Sequence, residues 1–320
     1  MTLTELARLA HVSTSTASKA FSMSNEVHEE TRSMIFEIAK RNGCFKKFYR
    51  SEYQGYVIAV ICPEFESTYY SVFLSALERE LRYNGAEMTV AEDRFSEKTA
   101  ASLIEYYDKY NTVDGIIIID APLSELPKCE IPVAAVGGVG NTLGDITVIR
   151  DSASAIAEGV TLLVRSGVTD IGCIIDRYTS GRRRSLEIAM RSFGFELEEK
   201  NTVVAPERFE LGGYLGMKEL ISRGDMPRAV LMAYDRMAVG ALRALSEAGI
   251  GCPSEVALFS LDDAPQSAYL TPSLTSVNHS IDEISRRTVK AILSKISGED
   301  YERTVNVKCI LKPRETTKIN

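Results

Sequence analysis

Four polar side chains in one short stretch, Thr14, Ser15, Ser18 and Lys19, have the size and hydrogen-bonding capacity to read a double helix. Serine and threonine hydroxyls reach base edges or phosphates with little bulk, and a lysine donates to guanine or to a phosphate. A second set is spread along the chain: Asp120, Arg182, Asp235 and Asp262 each end an apolar run or follow one closely. Carboxylates that accept from hydroxyls, together with a planar guanidinium that donates, suit a hydroxyl-rich ligand. Tyr69 and Tyr70 offer ring faces to a sugar, and Phe209 is a further candidate for ring stacking.

The first set needs two short helices and a tight turn. Thr2 and Glu5 have capping-box spacing, so a helix starts at about Leu3. Leu3, Leu6, Ala7 and Ala10 give it a narrow apolar face. His11 must take the left-handed turn position, Val12 plugs the angle between the helices, and Ser13 caps the second helix. Ala17 and Phe21 then face inward and leave the four polar residues outward. A third helix, roughly Glu29 to Asn42, closes the core with Met34, Ile35, Ile38 and Ala39. An ordinary amphipathic hairpin would use the same features, so spacing alone leaves both readings open.

Charge follows the same division. The first 50 residues hold eight Lys/Arg against five Asp/Glu, a net of +3 in a chain whose total is −7. The basic end is thus the end that would meet phosphates. No apolar run is long enough to span a membrane, and the N-terminus lacks the apolar segment of a signal peptide, so a cytoplasmic location is expected. Six scattered cysteines without a C-x-x-C pair, and three histidines, argue against a zinc site or a disulfide framework.

From Tyr56 the pattern becomes strand–helix alternation. Apolar runs at 56–62, 88–91, 114–120 and 133–136 alternate with helices near 70–84 and 97–110. The alternation restarts after Asp151: helices near 153–166, 183–193 and 237–248 interleave with runs at 170–175, 228–233 and 256–260, and a late strand spans 305–311. Two such halves imply two doubly wound parallel-sheet lobes, with a ligand cleft beyond the strand ends. A dinucleotide fold would alternate likewise, but Gly138 to Gly144 has the wrong spacing and no phosphate-loop motif occurs, so no cofactor is expected.

Leu3 to Ser22 resembles the headpiece of LacI-type transcriptional regulators. Ala7, Ala10, Val12, Ser13, Thr16 and Ser18 match the family pattern, with Lys19 for its usual arginine. Further blocks are similar in the body: Pro63 to Tyr70, Asp114 to Ile118, Gly167 to Gly172, Arg182 to Met190, Ala233 to Leu242, Ser260 to Asp263 and Leu270 to Val277. The resemblance implies an all-α headpiece on a periplasmic-binding-protein-like α/β core. Its parts would be a headpiece at 1–45, a linker at 46–55, one lobe at 56–148 plus about 280–304, and another at 149–279 plus about 305–315. It implies a homodimeric repressor on a pseudo-palindromic operator in double-stranded DNA, released or engaged by a small molecule, most often a sugar. Thr14 and Ser15 would choose the operator sequence, with Thr4, Ser13, Thr16, Ser18, Lys19, Lys46 and Lys47 as further DNA contacts. Tyr69, Tyr70, Asp120, Arg182, Phe209, Asp235 and Asp262 would line the effector site. With only the short stretch Thr316 to Asn320 at the end of this sequence, a tetramer built on a C-terminal coiled coil is not expected.

Two departures stand out. Gly137 occupies a position where sugar-binding members often carry Asp, and Lys46-Lys47 replaces the linker's Pro-Asn, with Tyr53 near the place of an inserting leucine. The rival readings are a small-molecule sensor whose headpiece no longer reads DNA, and an α/β enzyme built on Asp262 and Arg182.

Overall fold

The structure, a computed structural model, describes residues 1–49, 55–111, 113–138 and 143–319. The chain divides into two compact units, residues 1–149 with 284–305, and residues 150–283 with 306–320.

The headpiece opens with α1 (Leu3–Leu9) on its capping box: Thr2 Oγ1 accepts from the Glu5 amide at 3.2 Å, and Glu5 Oε2 accepts from the Thr2 amide at 2.7 Å. His11 takes a φ of 52°, which turns the chain into α2 (Thr14–Phe21). α3 (Glu29–Arg41) lies across both, and Leu6, Ala20, Phe21, Ile35 and Ala39 fill the space between them. Met34, expected inside, is 42% exposed. Ile35 and Ala39, one turn apart, take the inward face, and Phe36 fills the flank with its ring 5.0 Å from that of Phe21. The loop before α3 is pinned by buried Arg32, which donates to the Ser24 and Val27 carbonyls at 2.8 and 3.1 Å.

The expected boundary at residue 45 falls too early. Phe45–Phe48 forms a further turn, α4, and Phe45, Phe48 and Tyr49 join the headpiece core. The Phe45 and Tyr49 rings stack at 4.8 Å, and Phe48 lies 5.6 Å from Phe21. Rings this large gain more by covering a small core than by staying in water. The linker positions Arg50 and Tyr53 lie outside the described residues.

In the rest of the chain β1 (Val57–Cys62), α5 (Thr68–Tyr83), β2 (Glu87–Glu92), α6 (Glu97–Lys109), β3 (Gly115–Ile119), β4 (Val133–Gly138) and β5 (Ile146–Asp151) come first. Then follow α7 (Ser152–Arg165), β6 (Ile171–Ile175), α8 (Ser180–Arg191), β7 (Thr202–Val204), α9 (Phe209–Ser222), β8 (Ala229–Met232), α10 (Asp235–Ala248), β9 (Ala257–Asp262), β10 (Thr275–Asn278), α11 (Ile281–Ser297), β11 (Thr304–Lys308) and β12 (Ile310–Lys312). They build two six-stranded sheets, ordered β11-β5-β4-β3-β1-β2 and β12-β10-β9-β8-β6-β7. β1, β2, β3 and β4 pair in parallel, as do β6 to β10, while β12 runs antiparallel to β10. Fully buried runs such as Gly115–Ile119 are what a sheet covered on both faces requires. Parallel pairing also collects the strand carboxyl ends, and the polar residues just past them, on one edge of each sheet.

The expected late strand is two. β11 belongs to the first sheet and β12 to the second, with Cys309 between them. Helix α9 escapes a propensity reading because Gly212, Gly213 and Gly216 weaken it. The tertiary reason for one glycine in each of α9 and α10 is contact: a Cβ on Gly213 would strike the Met237 carbonyl, and one on Gly240 the Glu210 carbonyl. Glycine lets α9 and α10 lie backbone to backbone.

Candidate nucleic-acid interface and effector site

Helix α2 displays Thr14, Ser15 and Ser18 in solvent, while Ala17, Ala20 and Phe21 hold its other face to the core. Its start is fixed by Ser13, whose Oγ accepts from the Thr16 amide at 2.9 Å. The Thr16 hydroxyl is 2.8 Å from that same Oγ, so Ser13 and Thr16 serve the cap of the helix. Lys19 forms an exposed ion pair with Glu26, a surface pair that yields readily to a stronger anion. Thr4 is exposed on α1. Lys46 and Lys47 lie in α4, where the Lys47 ammonium donates to the Met1 carbonyl at 3.0 Å.

In the first unit, Tyr69 and Tyr70 open α5 but do not present free faces. Both rings are buried, Tyr69 edge-on against Tyr70 and Phe73 at 5.0 and 5.9 Å. What reaches the strand tips is the Tyr70 hydroxyl, which donates to Asp120 Oδ2 at 3.4 Å. Asp120 follows β3 with a φ of 50°. Nearby in sequence, Asp93 follows β2 and is fully buried; burial pushes its carboxyl up to about 6.

The second unit concentrates charge at its strand tips. Arg182, in the first turn of α8, donates through Nη2 to Asp262 Oδ1 at 3.4 Å. His279, past β10, places Nε2 3.4 Å from the same oxygen and Nδ1 3.4 Å from Cys309 Sγ. Asp262 and Asp263 have φ of 114° and 50°, a left-handed pair that swings the Asp262 carboxylate off the end of β9. Burial pushes the Asp262 carboxyl up to about 6 even though Arg182 and Arg150 pull it down. Burial and the same two arginines push His279 well below its ordinary value, so it is neutral.

Two sequence candidates have other duties. Asp235 is 1% exposed, and its oxygens accept from the Ser260 hydroxyl, from Ser267 Oγ at 2.5 Å, from Ser276 Oγ at 2.6 Å and from the Ala264 amide at 2.7 Å. A carboxylate with four internal donors has no acceptor left for a ligand, so Asp235 is a clamp between α10, β9 and β10. Phe209 is 8% exposed, with the Arg236 and Arg208 guanidinium groups 3.9 and 4.5 Å from its ring centre. Cations already occupy the ring expected to stack on a sugar.

Two family models match the chain: bacterial regulatory proteins of the lacI family over residues 2–43, and the periplasmic binding protein-like domain over residues 160–317. The chain belongs to the LacI family of bacterial regulators. The ribose operon repressor of Escherichia coli K12 is 26% identical over 312 residues, covering 92% of this chain and 93% of its own. The regulator AscG of the same strain is 24% identical over 322 residues, 94% of this chain and 93% of its own. In fold, the transcriptional regulator CelR in its cellobiose complex superposes with a TM-score of 0.71 at 23% identity, covering 99% of both chains.

In this LacI-family regulator the sequence reading overlooked a second polar network. Asp176, just past β6, is 1% exposed and accepts from Thr179 Oγ1 at 2.8 Å, the Tyr178 amide at 2.9 Å, Tyr234 Oη at 2.9 Å and Arg208 Nε at 3.1 Å. Burial pushes its carboxyl up, but these hydrogen bonds outweigh it and hold it below the ordinary value. The Tyr234 hydroxyl in turn accepts from the Phe209 amide at 3.0 Å. Asp176 ends an apolar strand just as Asp120 does, and that signal was available. Arg150 and His279 gave none, since neither stands beside a strand end in the expected list. Among the described residues, no helix is long and apolar enough to cross a membrane.

Proposed function

We propose that this regulator is a repressor that binds a pseudo-palindromic operator as a homodimer, with α2 in the major groove. Thr14 and Ser15 discriminate bases, Ser18 and Lys19 add base or phosphate contacts, and Thr4, Lys46 and Lys47 hold the backbone. The observation that carries this reading is the display of Thr14, Ser15 and Ser18 on one solvent face of a helix anchored behind by Ala17, Ala20 and Phe21. The related ribose operon repressor and the fold's likeness to a regulator in complex with cellobiose support a saccharide-like effector. Arg182 and Asp262 are its contacts at the strand tips of the second unit. An effector regulates only through different affinity for the two DNA-binding states.

The test is footprinting on DNA flanking the protein's own gene, at fixed salt. A protected inverted repeat is expected. Thr14→Ala or Ser15→Ala should weaken it by about 1–3 kcal/mol and relax base preference. Lys19→Ala should weaken all sequences alike and lower the salt slope by about one unit. Binding that is indifferent to sequence in the unaltered protein would refute the reading.

A further inference from the structure

The first unit carries a cavity of about 470 Å³ at the amino ends of its strands, within the size range of small-molecule sites. Asp145, Thr147 and Ile149 at the start of β5 line it, with Lys295 near the end of α11 and Tyr301 and Arg303 just before β11. The Asp145 amide donates to the carbonyl of Val133, the first residue of β4, whose partner in β3 is Ile116. The cavity thus lies at the end of the sheet away from Asp120, which follows β3.

Its walls are preorganised. The Thr147 amide donates to the Arg303 carbonyl at 2.8 Å, and the Val133 amide donates to Asp145 Oδ2 at 3.0 Å. The Lys295 ammonium lies 3.2 Å from Asp145 Oδ1 and donates to the Tyr301 hydroxyl at 3.2 Å, with the Tyr301 ring centre 4.9 Å away. The Tyr301 hydroxyl, and after it Asp145, hold Lys295 above its ordinary value, so it is charged.

Among the described lining residues two cations, Lys295 and Arg303, stand against one carboxylate, Asp145. Glu302, beside Arg303 in sequence, is turned to Arg287 at 2.5 Å, and Glu299 and Asp300 are exposed outside the lining. Both Asp145 oxygens are engaged, one by Lys295 and one by the Val133 amide. Lys295 has one N–H left of three. The Arg303 guanidinium has no side-chain partner among the described residues, so its whole donor fork is available. What the cavity offers is therefore chiefly donors and positive charge.

We propose that this cavity is a second ligand site, separate from the strand tips, for a small oxyanion, a phosphate ester or a carboxylic acid. The anion takes the Arg303 fork and the remaining Lys295 N–H, while the Tyr301 hydroxyl donates its hydrogen. A guanidinium fork matches phosphate and carboxylate alike, and a fixed ammonium adds a point charge without being ordered anew.

Thermal shifts on the full-length protein test this, with inorganic phosphate, glycerol 3-phosphate and citrate as probes, glycerol as the neutral control and sodium chloride holding ionic strength constant. A saturable rise of about 3 °C or more is expected with at least one anion and none with glycerol. A response to the two phosphates assigns a phosphate ligand, and a response to citrate alone a carboxylic acid. Arg303→Gln should abolish the response and Arg303→Lys should keep part of it. Because the Arg303 side chain is exposed, the melting of both variants without anion, and their operator footprint, should match the unaltered protein, which separates a lost site from a lost fold. Arg182→Gln should leave the anion response whole. Equal responses in unaltered and Arg303→Gln protein would mean an adventitious ion only and overturn the proposal. So would silence from all three anions, or a response lost in Arg182→Gln and kept in Arg303→Gln.

Discussion

The headpiece and the strand-tip cluster of the second unit solve opposite problems. The headpiece satisfies its polar groups locally. Thr2 with Glu5 and Ser13 with Thr16 are three residues apart, and each closes within its own helix end. Its reading residues are then free in solvent. The second unit satisfies its charges over long sequence separations, as when Arg182 meets Asp262 or Asp235 gathers Ser260, Ser267 and Ser276. A surface that must recognise many phosphates and bases works best exposed and lightly committed. A site for one small molecule works best dry, crowded and preorganised.

The comparison can be broken most forcefully at Asp235. Asp235→Ala strands three buried serine hydroxyls and an amide, and should destabilise the second unit by about 3 kcal/mol. Calorimetry should show that transition moved down while the headpiece still binds operator at low temperature. A coincident loss of both would mean that the headpiece depends on the second unit for its fold.

Acidity gives a smaller effect with a defined sign. Burial raises Asp262 from an ordinary 3.8 to about 6, so the folded state prefers its neutral form. The stability this group contributes is full below about 3.8, is lost as pH rises toward 6, and is constant above. Asp262→Asn lacks that titration. The melting temperature of Asp262→Asn minus that of the unaltered protein should therefore climb between pH 4 and pH 6 and then level off. A flat difference would show that Asp262 is not desolvated.

The smallest change is at the headpiece cap. Ser13→Ala removes the acceptor for the Thr16 amide and should cost about 1 kcal/mol. It should weaken operator binding by a few-fold at most near the headpiece melting temperature, and leave the second unit's melting unmoved.

Much of the headpiece was legible because its rules are local. A capping box, a residue that tolerates positive φ and four-residue apolar spacing decide helix starts, the turn and the inward face within a dozen residues. Legibility failed there only at Met34 and at the α4 aromatics, where the outcome depended on which large side chain the finished core could admit. In the α/β lobes the strand runs were readable, since buried parallel strands are written as unbroken apolar stretches. Helix α9 was not, because its glycines look helix-breaking until α10 is beside them.

The site shows the same division. Arg182 and Asp262 were found because each stands next to an apolar run. Asp235 stands in an equivalent place and turned out to be a structural clamp, since three serines from distant strands and loops converge on it. His279 became visible as a neighbour of Asp262 only once β9 and β10 were paired. The linear chain determined which groups can carry charge and which helix ends can cap themselves. Tertiary structure alone decided which charges share a low-dielectric space, because that depends on distances between residues tens to more than a hundred positions apart.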